Sequence, residues 1–226
     1  MEEPILVNKK PKILLAITIA MLLILAGIIY FIYARSPQLI INKSISATSQ
    51  VKSLHFEQIV SETATNGVIS KGTGDIIFPD KLRINIAPES KDVETDIIGD
   101  RVYTKWQNKW ALIQGKNINE FNIINPQKFI ALLGFVSNVK SLGTEKIDNQ
   151  DMNHLGFAID KNEAQKTFAQ SANISYNGEV WIGKDDGLIH RIAITFTSDK
   201  SGEAPVKYQM DFSGFNSGII IEEPKI

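Results

Sequence analysis

The chain has 226 residues, and its 24 basic and 25 acidic side chains give a formal net charge of −1, so it lacks the basic surface that nucleic-acid binding requires. It contains no cysteine, which excludes structural disulfides, thiol chemistry and a lipobox anchor within these residues. Once an apolar N-terminal segment is set aside, the remainder can bury one substantial core but not two. We therefore predict one folded domain.

The first strong feature is an apolar run at residues 13–33 that contains no charged side chain. As a helix rising ~1.5 Å per residue, the run would span roughly 30 Å, the thickness of the hydrocarbon core of a bilayer. A cleaved signal peptide ending at Ala34 is the alternative, but the apolar part of a signal peptide stops at about 7 to 15 residues. The run therefore predicts a transmembrane helix.

Basic residues beside the run predict its orientation. Lys9, Lys10 and Lys12 precede it, whereas only Arg35 follows it closely. Because basic residues concentrate on the cytoplasmic side of a membrane helix, we expect a single pass through the cell membrane with the N-terminus inside. The predicted segments are a cytoplasmic N-terminus at 1–12, a transmembrane helix at 13–33 and an extracytoplasmic domain at 36–226.

The domain begins with a predicted helix and a β-hairpin. A Ser-Pro pair at 36–37 suits a helix start, and apolar residues near helical spacing predict a helix over about 37–52. The period then changes to two. This change predicts strands at 54–64 and 68–78, joined by a Thr-Asn-Gly turn.

A regular alternation of apolar and polar residues follows. Leu82, Ile84 and Ile86 alternate with charged or polar neighbours, which is typical of a sheet with one apolar and one wet face. The same alternation continues to residue 113 through a tight turn at 107–108. This region predicts an antiparallel meander.

An Asn-Pro pair opens a second predicted helix at 125–139. Phe129, Leu132, Leu133 and Val136 would form the apolar stripe of this helix. The stripe predicts that the helix packs against the sheet.

The last part of the chain predicts a short helix and four more strands. The elements are a helix at about 161–172 and strands at 176–183, 188–197, 206–215 and 218–222. The strand at 188–197 places one set of residues on a single face: Leu188, His190, Ile192, Ile194 and Phe196.

The summed pattern predicts an α+β fold that is mainly antiparallel β, with roughly nine to eleven strands and three helices. One long sheet must curl to bury its apolar face. We therefore predict a half-open curled β-barrel with helices packed in its concave face. Such a barrel is either filled by side chains or left with a cavity, and the sequence pattern alone leaves both open.

Residue patterns typical of enzymes are missing from the sequence. His55, His154 and His190 have no metal-ligand spacing, and His190 is expected to be a structural histidine on its strand. The acidic stretch at 148–153 lacks the calcium-loop pattern and predicts a polar turn. No G-x-S-x-G motif supports a serine nucleophile. We predict no enzyme, no metal site and no cofactor.

Four stretches, taken together and in this order, resemble one protein family. They are VKSLHF at 51–56, IIGDRVYTKWQNKW at 97–110, EVWIGKDDGLIHRI at 179–192 and MDFSGFNSGIIIEEP at 210–224. The family is that of the LppX/LprG-type lipoproteins of the bacterial envelope, which are similar in fold to the lipoprotein carrier LolA. The likeness covers most of residues 38–226.

The resemblance implies a hydrophobic cavity that takes acyl chains and carries or presents lipids outside the inner membrane. Members usually have a lipobox cysteine, whereas this chain has the predicted membrane helix, so a tethered protein fits better than a shuttle. Trp106, Trp110 and Trp181 are expected in the core or at the cavity rim. The predicted lipid-binding residues are Leu82, Ile84, Ile86, Ile97, Trp106, Phe129, Leu132, Leu133, Val136, Trp181, Ile192, Ile194, Phe196, Met210 and Phe212.

Two functions of different classes remain open. In the first, the domain is a membrane-anchored lipid-binding or lipid-carrier protein whose ligand is a lipid or acyl chain, because a long apolar sheet face beside an amphipathic helix offers a pocket. In the second, it is an envelope sensor or scaffold that binds another envelope protein. A filled core is the plain structural alternative for the same apolar residues.

Overall fold

The structure, a computed structural model, describes residues 19, 21–25, 27, 36–87, 93–113, 125–168, 174–198, 200 and 202–226. The chain divides into two compact units, Met1–Ile40 and Ile41–Ile226. In the first unit, residues 19, 21–25 and 27 are helical, and the rest of the predicted membrane helix at 13–33 lies outside the described residues. Within the described residues, no helix combines the length and apolar character needed to cross a bilayer.

Eleven strands form one antiparallel sheet. They are β1 (Ser53–Glu62), β2 (Val68–Ile77), β3 (Lys81–Ala87), β4 (Val93–Ile98), β5 (Arg101–Trp106), β6 (Lys109–Ile113), β7 (Val136–Ile147), β8 (Gln150–Ile159), β9 (Ile174–Gly183), β10 (Ile189–Ser198) and β11 (Val206–Ser213).

The strand order in the sheet is β6-β5-β4-β3-β2-β1-β11-β10-β9-β8-β7. Most neighbours in the sheet are neighbours in sequence, and the exception is β11, which returns to pair with β1. Strands β6 and β7 each pair on one side, so the sheet is not closed. The prediction of a mainly antiparallel fold with consecutive strands is confirmed.

Three helices accompany the sheet among the described residues: α1 (Pro37–Ser49), α2 (Pro126–Leu132) and α3 (Lys161–Phe168). Ile41, Ser44 and Thr48 are buried at helical spacing on α1. The Thr48 hydroxyl oxygen accepts a hydrogen bond of 3.1 Å from the backbone N–H of Ile189, which ties the end of α1 to the start of β10.

Two tight turns adopt the left-handed backbone that their sequences favour. Gln107 and Asn108 have φ of 48° and 61°, and Asp148 and Asn149 have φ of 49° and 65°. Two consecutive residues with positive φ are typical of the type I′ turns that join neighbouring antiparallel strands. The acidic stretch near Asp148 is therefore a hairpin turn, as predicted.

The second predicted helix is much shorter than the expected 125–139. Helix α2 ends at Leu132, a single 3₁₀ turn follows at Leu133–Phe135, and Val136 begins strand β7. The spacing of the apolar residues continues the helical pattern, but pairing of Val136 with Ile159 of β8 overrides it. The prediction that Val136 extends the helical stripe is wrong.

Two predictions near the C-terminus are also wrong. No strand forms at 218–222, because this segment has no partner strand and its backbone instead meets side chains: the Lys81 ammonium donates to the Ile221 carbonyl oxygen at 3.1 Å. In β10, a register irregularity between Ile189 and Arg191 interrupts the alternation that grouped His190 with Ile192. His190 instead bonds to the Asp186 carboxylate in the preceding turn at 2.8 Å.

Candidate functional site

Most of the side chains predicted to line a cavity lie on one face of the sheet, which we call the apolar face. The pairing register sets this face: Phe56 lies opposite Phe212, Ile192 opposite Met210, and Leu82 opposite Ile97. Because side chains alternate between the two faces of a strand, the residues two positions before and after each of these lie on the same face. The predicted residues on this face are Leu82, Ile84, Ile86, Ile97, Trp106, Val136, Ile192, Ile194, Phe196, Met210 and Phe212.

Burial along the apolar face is uneven. Ile84, Ile192 and Ile194 are fully buried, whereas Ile86 is half-buried and the Trp106 side chain is 49% exposed. The centre of the face therefore belongs to a packed core. The end that carries Ile86 and Trp106 remains accessible.

Helix α2 brings the remaining apolar residues to the same core. Phe129, Leu132 and Leu133 are all buried, and the Asn125 side chain caps the helix by accepting a hydrogen bond from the Gln127 N–H at 3.0 Å. The Gln127 amide also donates to the Pro79 carbonyl oxygen, which fixes the helix start beside the β2–β3 turn.

A recess of about 210 Å³ lies where the start of α2 meets the apolar face. Its walls include Ile76, Leu82 and Ile97 from the sheet and Asn125 and Gln127 from the helix. The recess is smaller than the roughly 300–1,000 Å³ typical of small-molecule pockets. Asp80 and Lys81 also line it, so the recess has apolar walls on the sheet and polar walls at the β2–β3 turn and the helix start.

Two glycines on the apolar face lie beneath aromatic rings. A Cβ at Gly74 would come within 2.5 Å of the Phe56 ring, and one at Gly178 within 2.2 Å of the Phe157 ring. Each ring therefore lies flat across its neighbouring strand. Phe56 and Phe157 are themselves buried, so both rings belong to the packed core.

Polar groups also occur on the apolar face. Gln58 is 5% exposed, and its Oε1 atom accepts no hydrogen bond from the described residues. Tyr208 packs on Phe196 with ring centroids 4.8 Å apart, and burial raises the pKa of its hydroxyl.

Trp181 lies on the opposite face of the sheet, which we call the polar face, and is therefore separated from the other predicted lipid-binding residues. It clusters with Met152 and Ala193, and its indole N–H donates to the Glu145 carboxylate at 2.7 Å. His154 stacks on the indole at 4.2 Å. Val180 and Ile182 on either side of Trp181 are buried too, so alternation could not assign the face of Trp181.

Two arginines on the polar face are paired with carboxylates. Arg83 donates two hydrogen bonds to Asp96, at 2.9 and 2.8 Å, and this contact raises the pKa of the guanidinium. The Asp96 side chain is 0% exposed. A second pair joins Arg191 to Asp211 in the same way.

A groove of about 430 Å³ on the polar face was not predicted from the sequence. Its lining includes Asn138 and Lys140 of β7, Gly156 of β8, and Asn177 and Glu179 of β9. Because the groove depends on pairing between distant strands, no local motif marks it. Among the described residues, no group of three histidine or carboxylate side chains is placed to hold a metal ion.

Two solved structures share this fold. The lipoprotein LppX from Mycobacterium tuberculosis is 19% identical with a TM-score of 0.65, and the match covers 83% of this chain and 98% of LppX. LprF from Mycobacterium bovis is 17% identical with a TM-score of 0.59, covering 83% of this chain and 96% of LprF. No match to the chain is found among curated proteins.

The family assignment comes from the sequence itself. The model of the LppX_LprAFG lipoprotein family matches residues 36–221, which is most of the chain and includes all eleven strands of the sheet. The open antiparallel sheet agrees with the fold of the two mycobacterial structures. The predicted resemblance is thereby confirmed, and the chain belongs to the LppX_LprAFG lipoprotein family.

Proposed function

We propose that this chain is a membrane-anchored, extracytoplasmic lipid-binding protein that holds acyl chains against the apolar face of its sheet. In this proposal the sheet curls into a half-open barrel with the apolar face inward and helices packed in its concave side. Residues 13–33 form the anchor, and the N-terminus is cytoplasmic. The protein has no catalytic role.

The observation that carries the proposal is the apolar face itself. It collects aliphatic and aromatic side chains from strands that are far apart in sequence, among them Leu82, Ile97, Ile194 and Phe212. These four side chains are already buried, so an acyl chain would reach the face through the recess beside α2 or through the accessible end at Ile86, where contact between apolar surfaces is favourable. The resemblance to the LppX/LprG-type proteins, which implies a cavity for acyl chains, agrees with a lipid as the ligand.

Space on this face distinguishes a binding site from a filled core. The recess beside α2 is space on this face that no side chain fills. Ile86 is only half-buried, so the apolar surface continues toward solvent. These features support a site in which several methylene groups of an acyl chain replace contacts that the side chains leave unmade.

The absence of cysteine affects the mode of attachment. The chain has no thiol to carry a lipid anchor, so the family's usual covalent attachment does not apply to these residues. The apolar run at 13–33 would take the place of that anchor. A carrier held by a protein helix stays at one membrane, so we propose local lipid holding or presentation rather than shuttling between membranes.

The test is to measure lipid in the isolated domain. A protease site inserted after Arg35 would release the domain from purified full-length protein, and organic extracts would be examined by mass spectrometry. We expect acyl lipids in a fixed ratio to protein. A folded domain that contains no lipid and binds no fluorescent fatty acid would contradict the proposal.

Neighbouring residues on β3 provide matched variants. Ile86 is half-buried on the apolar face, and Asn85 is exposed on the polar face opposite Glu94. Ile86→Lys should reduce the lipid content, because a charge among acyl chains costs several kcal/mol. Asn85→Lys should leave the lipid in place. Circular dichroism must show that both variants are folded.

A further inference from the structure

His154 of β8 lies between two carboxylates on the polar face of the sheet. Its Nδ1 atom is 3.3 Å from the Glu145 carboxylate of β7, and its Nε2 atom is 3.3 Å from the Glu179 carboxylate of β9. A neutral imidazole has one N–H group and one lone pair, whereas the protonated ring donates from both nitrogens. Only a protonated His154 can therefore hydrogen-bond to both carboxylates at once.

The two carboxylates differ in what else holds them. The Glu145 carboxylate has a second donor, the indole N–H of Trp181, at a distance of 2.7 Å. His154 stacks on the same indole, with ring centroids 4.2 Å apart. Glu179 receives no hydrogen bond from any other side chain among the described residues. If the ring lost its proton, Glu179 is therefore the carboxylate that could leave it.

Two other cationic side chains beside this cluster already have partners. Arg191 of β10 lies 5.5 Å from the centre of the Trp181 ring and is paired with Asp211 of β11. Lys146 of β7 is paired with Asp151 of β8 at 3.1 Å. A carboxylate that leaves the imidazole ring must therefore pair with a different cation.

Lys140 of β7 is placed to be that cation. Lys140 and Glu179 both lie opposite Gly156 of β8, one on each side, and all three residues line the groove of about 430 Å³. Because Gly156 has no side chain, Lys140 extends over it: its Cε atom lies 3.5 Å from the position of an added Cβ. Lys140 forms no ion pair with the described residues. Two strand spacings separate the outer strands by about 10 Å, which extended lysine and glutamate side chains can bridge.

We propose that His154 is a pH-dependent switch that opens and closes the groove on the polar face. While its ring is protonated, it holds Glu179, and the Lys140 ammonium stays unpaired in the wall of the groove. When the ring loses its proton, Glu179 pairs with Lys140 above Gly156 and the ion pair closes the groove. This inference does not rest on the lipid-holding function, because the cluster lies on the other face of the sheet.

Trp181 can report the charge of His154, because the two rings are in contact. The chain has three tryptophans, so Trp106→Phe and Trp110→Phe leave Trp181 as the only source of indole emission. Emission of this full-length protein in detergent micelles would be recorded from about pH 5 to 8, the range in which histidine side chains ordinarily change charge. We expect a sigmoidal change with one midpoint, and His154→Gln should abolish it.

Variants of the two groove residues test the exchange of partners. Glu179→Gln should lower the midpoint by about one pH unit, because a nearby carboxylate favours the protonated ring. Lys140→Met should raise the midpoint, because Glu179 then has no partner when the ring is neutral. In the Glu179→Gln background, Lys140→Met should no longer raise it, since the amide cannot form the ion pair.

Lys146→Met is the matched control for Lys140→Met. Lys140 and Lys146 are each three residues from Gly143, which lies opposite His154, but Lys146 is paired with Asp151. Because solvent screens exposed charges, we expect Lys140→Met to raise the midpoint at least about two-fold further than Lys146→Met.

Two kinds of result would overturn the proposal. Emission that stays constant over this pH range, or that changes equally in His154→Gln, would show that His154 does not change charge there. Equal shifts for Lys140→Met and Lys146→Met, or a shift by Lys140→Met that persists in the Glu179→Gln background, would show that Lys140 acts only through its charge. Glu179 would then not move to Lys140, and the groove would not close.

Discussion

The apolar and polar faces of this sheet are built from alternate residues of the same strands, yet they accommodate charge in different ways. On the apolar face Ile194 is 0% exposed and surrounded by other apolar side chains. On the polar face Asp96 is equally buried, but Arg83 neutralises it through two hydrogen bonds. An unpaired charge is therefore unfavourable in the buried part of either face, and only the polar face provides oppositely charged side chains that can pair with it.

The strongest test of this difference is Ile194→Lys. An ammonium group at this position would have no carboxylate partner on the apolar face, so we expect a loss of about 4 kcal/mol or more in the free energy of unfolding, or failure to fold. Chemical denaturation followed by circular dichroism measures the loss.

The matched control for this change is Thr197→Lys on the polar face of the same strand. Thr197 is half-buried, whereas Thr195 lies opposite Lys207 and would add repulsion between like charges. We expect Thr197→Lys to change stability by less than about 1 kcal/mol. Equal losses for the two variants would mean that the faces do not differ as described.

The next prediction concerns the buried pair on the polar face. Arg83→Met would leave the Asp96 carboxylate buried without its partner, and we expect a loss of about 3 kcal/mol. Replacing both residues, with Arg83→Met and Asp96→Leu, should recover most of it. Arg101→Met provides the comparison: its partner Glu223 is 48% exposed, so the loss should stay below about 1 kcal/mol. Similar losses at both arginines would contradict the role of burial.

A smaller loss in the free energy of unfolding is expected at Gly178, where the Phe157 ring lies against the main chain. The Cβ of Gly178→Ala would lie 2.2 Å from Phe157, so the ring must move, and we expect a loss of about 1 to 3 kcal/mol. Gly134→Ala is the control, because no atom lies within 4 Å of its added Cβ. If Phe157→Leu does not reduce the cost of Gly178→Ala, the ring is not the cause.

Alternation predicted the meander and its faces well, and the reason is physical. In β3, Leu82 and Ile84 are buried whereas Arg83 is partly exposed and Asn85 is exposed, so the period of two is clear in the sequence. Strand β9 lacks this contrast from Val180 to Gly183, because both sides are covered. The sequence therefore identified a strand there but not the face of Trp181.

Other features of the fold depend on contacts between residues that are distant in sequence, and no local sequence pattern indicates such contacts. Val136 continues a helical spacing from Phe129, but pairing with β8 draws it into a strand. The groove on the polar face has the same origin.

The smallest predicted effect runs in the opposite direction. Gln58 lies on the apolar face, where its carbonyl oxygen is buried and accepts no hydrogen bond from the described residues. A buried acceptor without a donor costs about 1 to 3 kcal/mol, and methionine has a similar shape without that cost, so Gln58→Met should raise the free energy of unfolding by about 1 kcal/mol. Gln209 on the adjacent strand faces the other way and donates to Asp211, at 3.3 and 3.1 Å, so Gln209→Met should lower it by a similar amount. Denaturation of both variants measures whether one substitution has opposite signs on the two faces. A loss of stability for Gln58→Met would show that its carbonyl oxygen meets a donor in the folded protein, and extracts of that variant would then be compared with wild type for lipids that carry a hydroxyl or amide group.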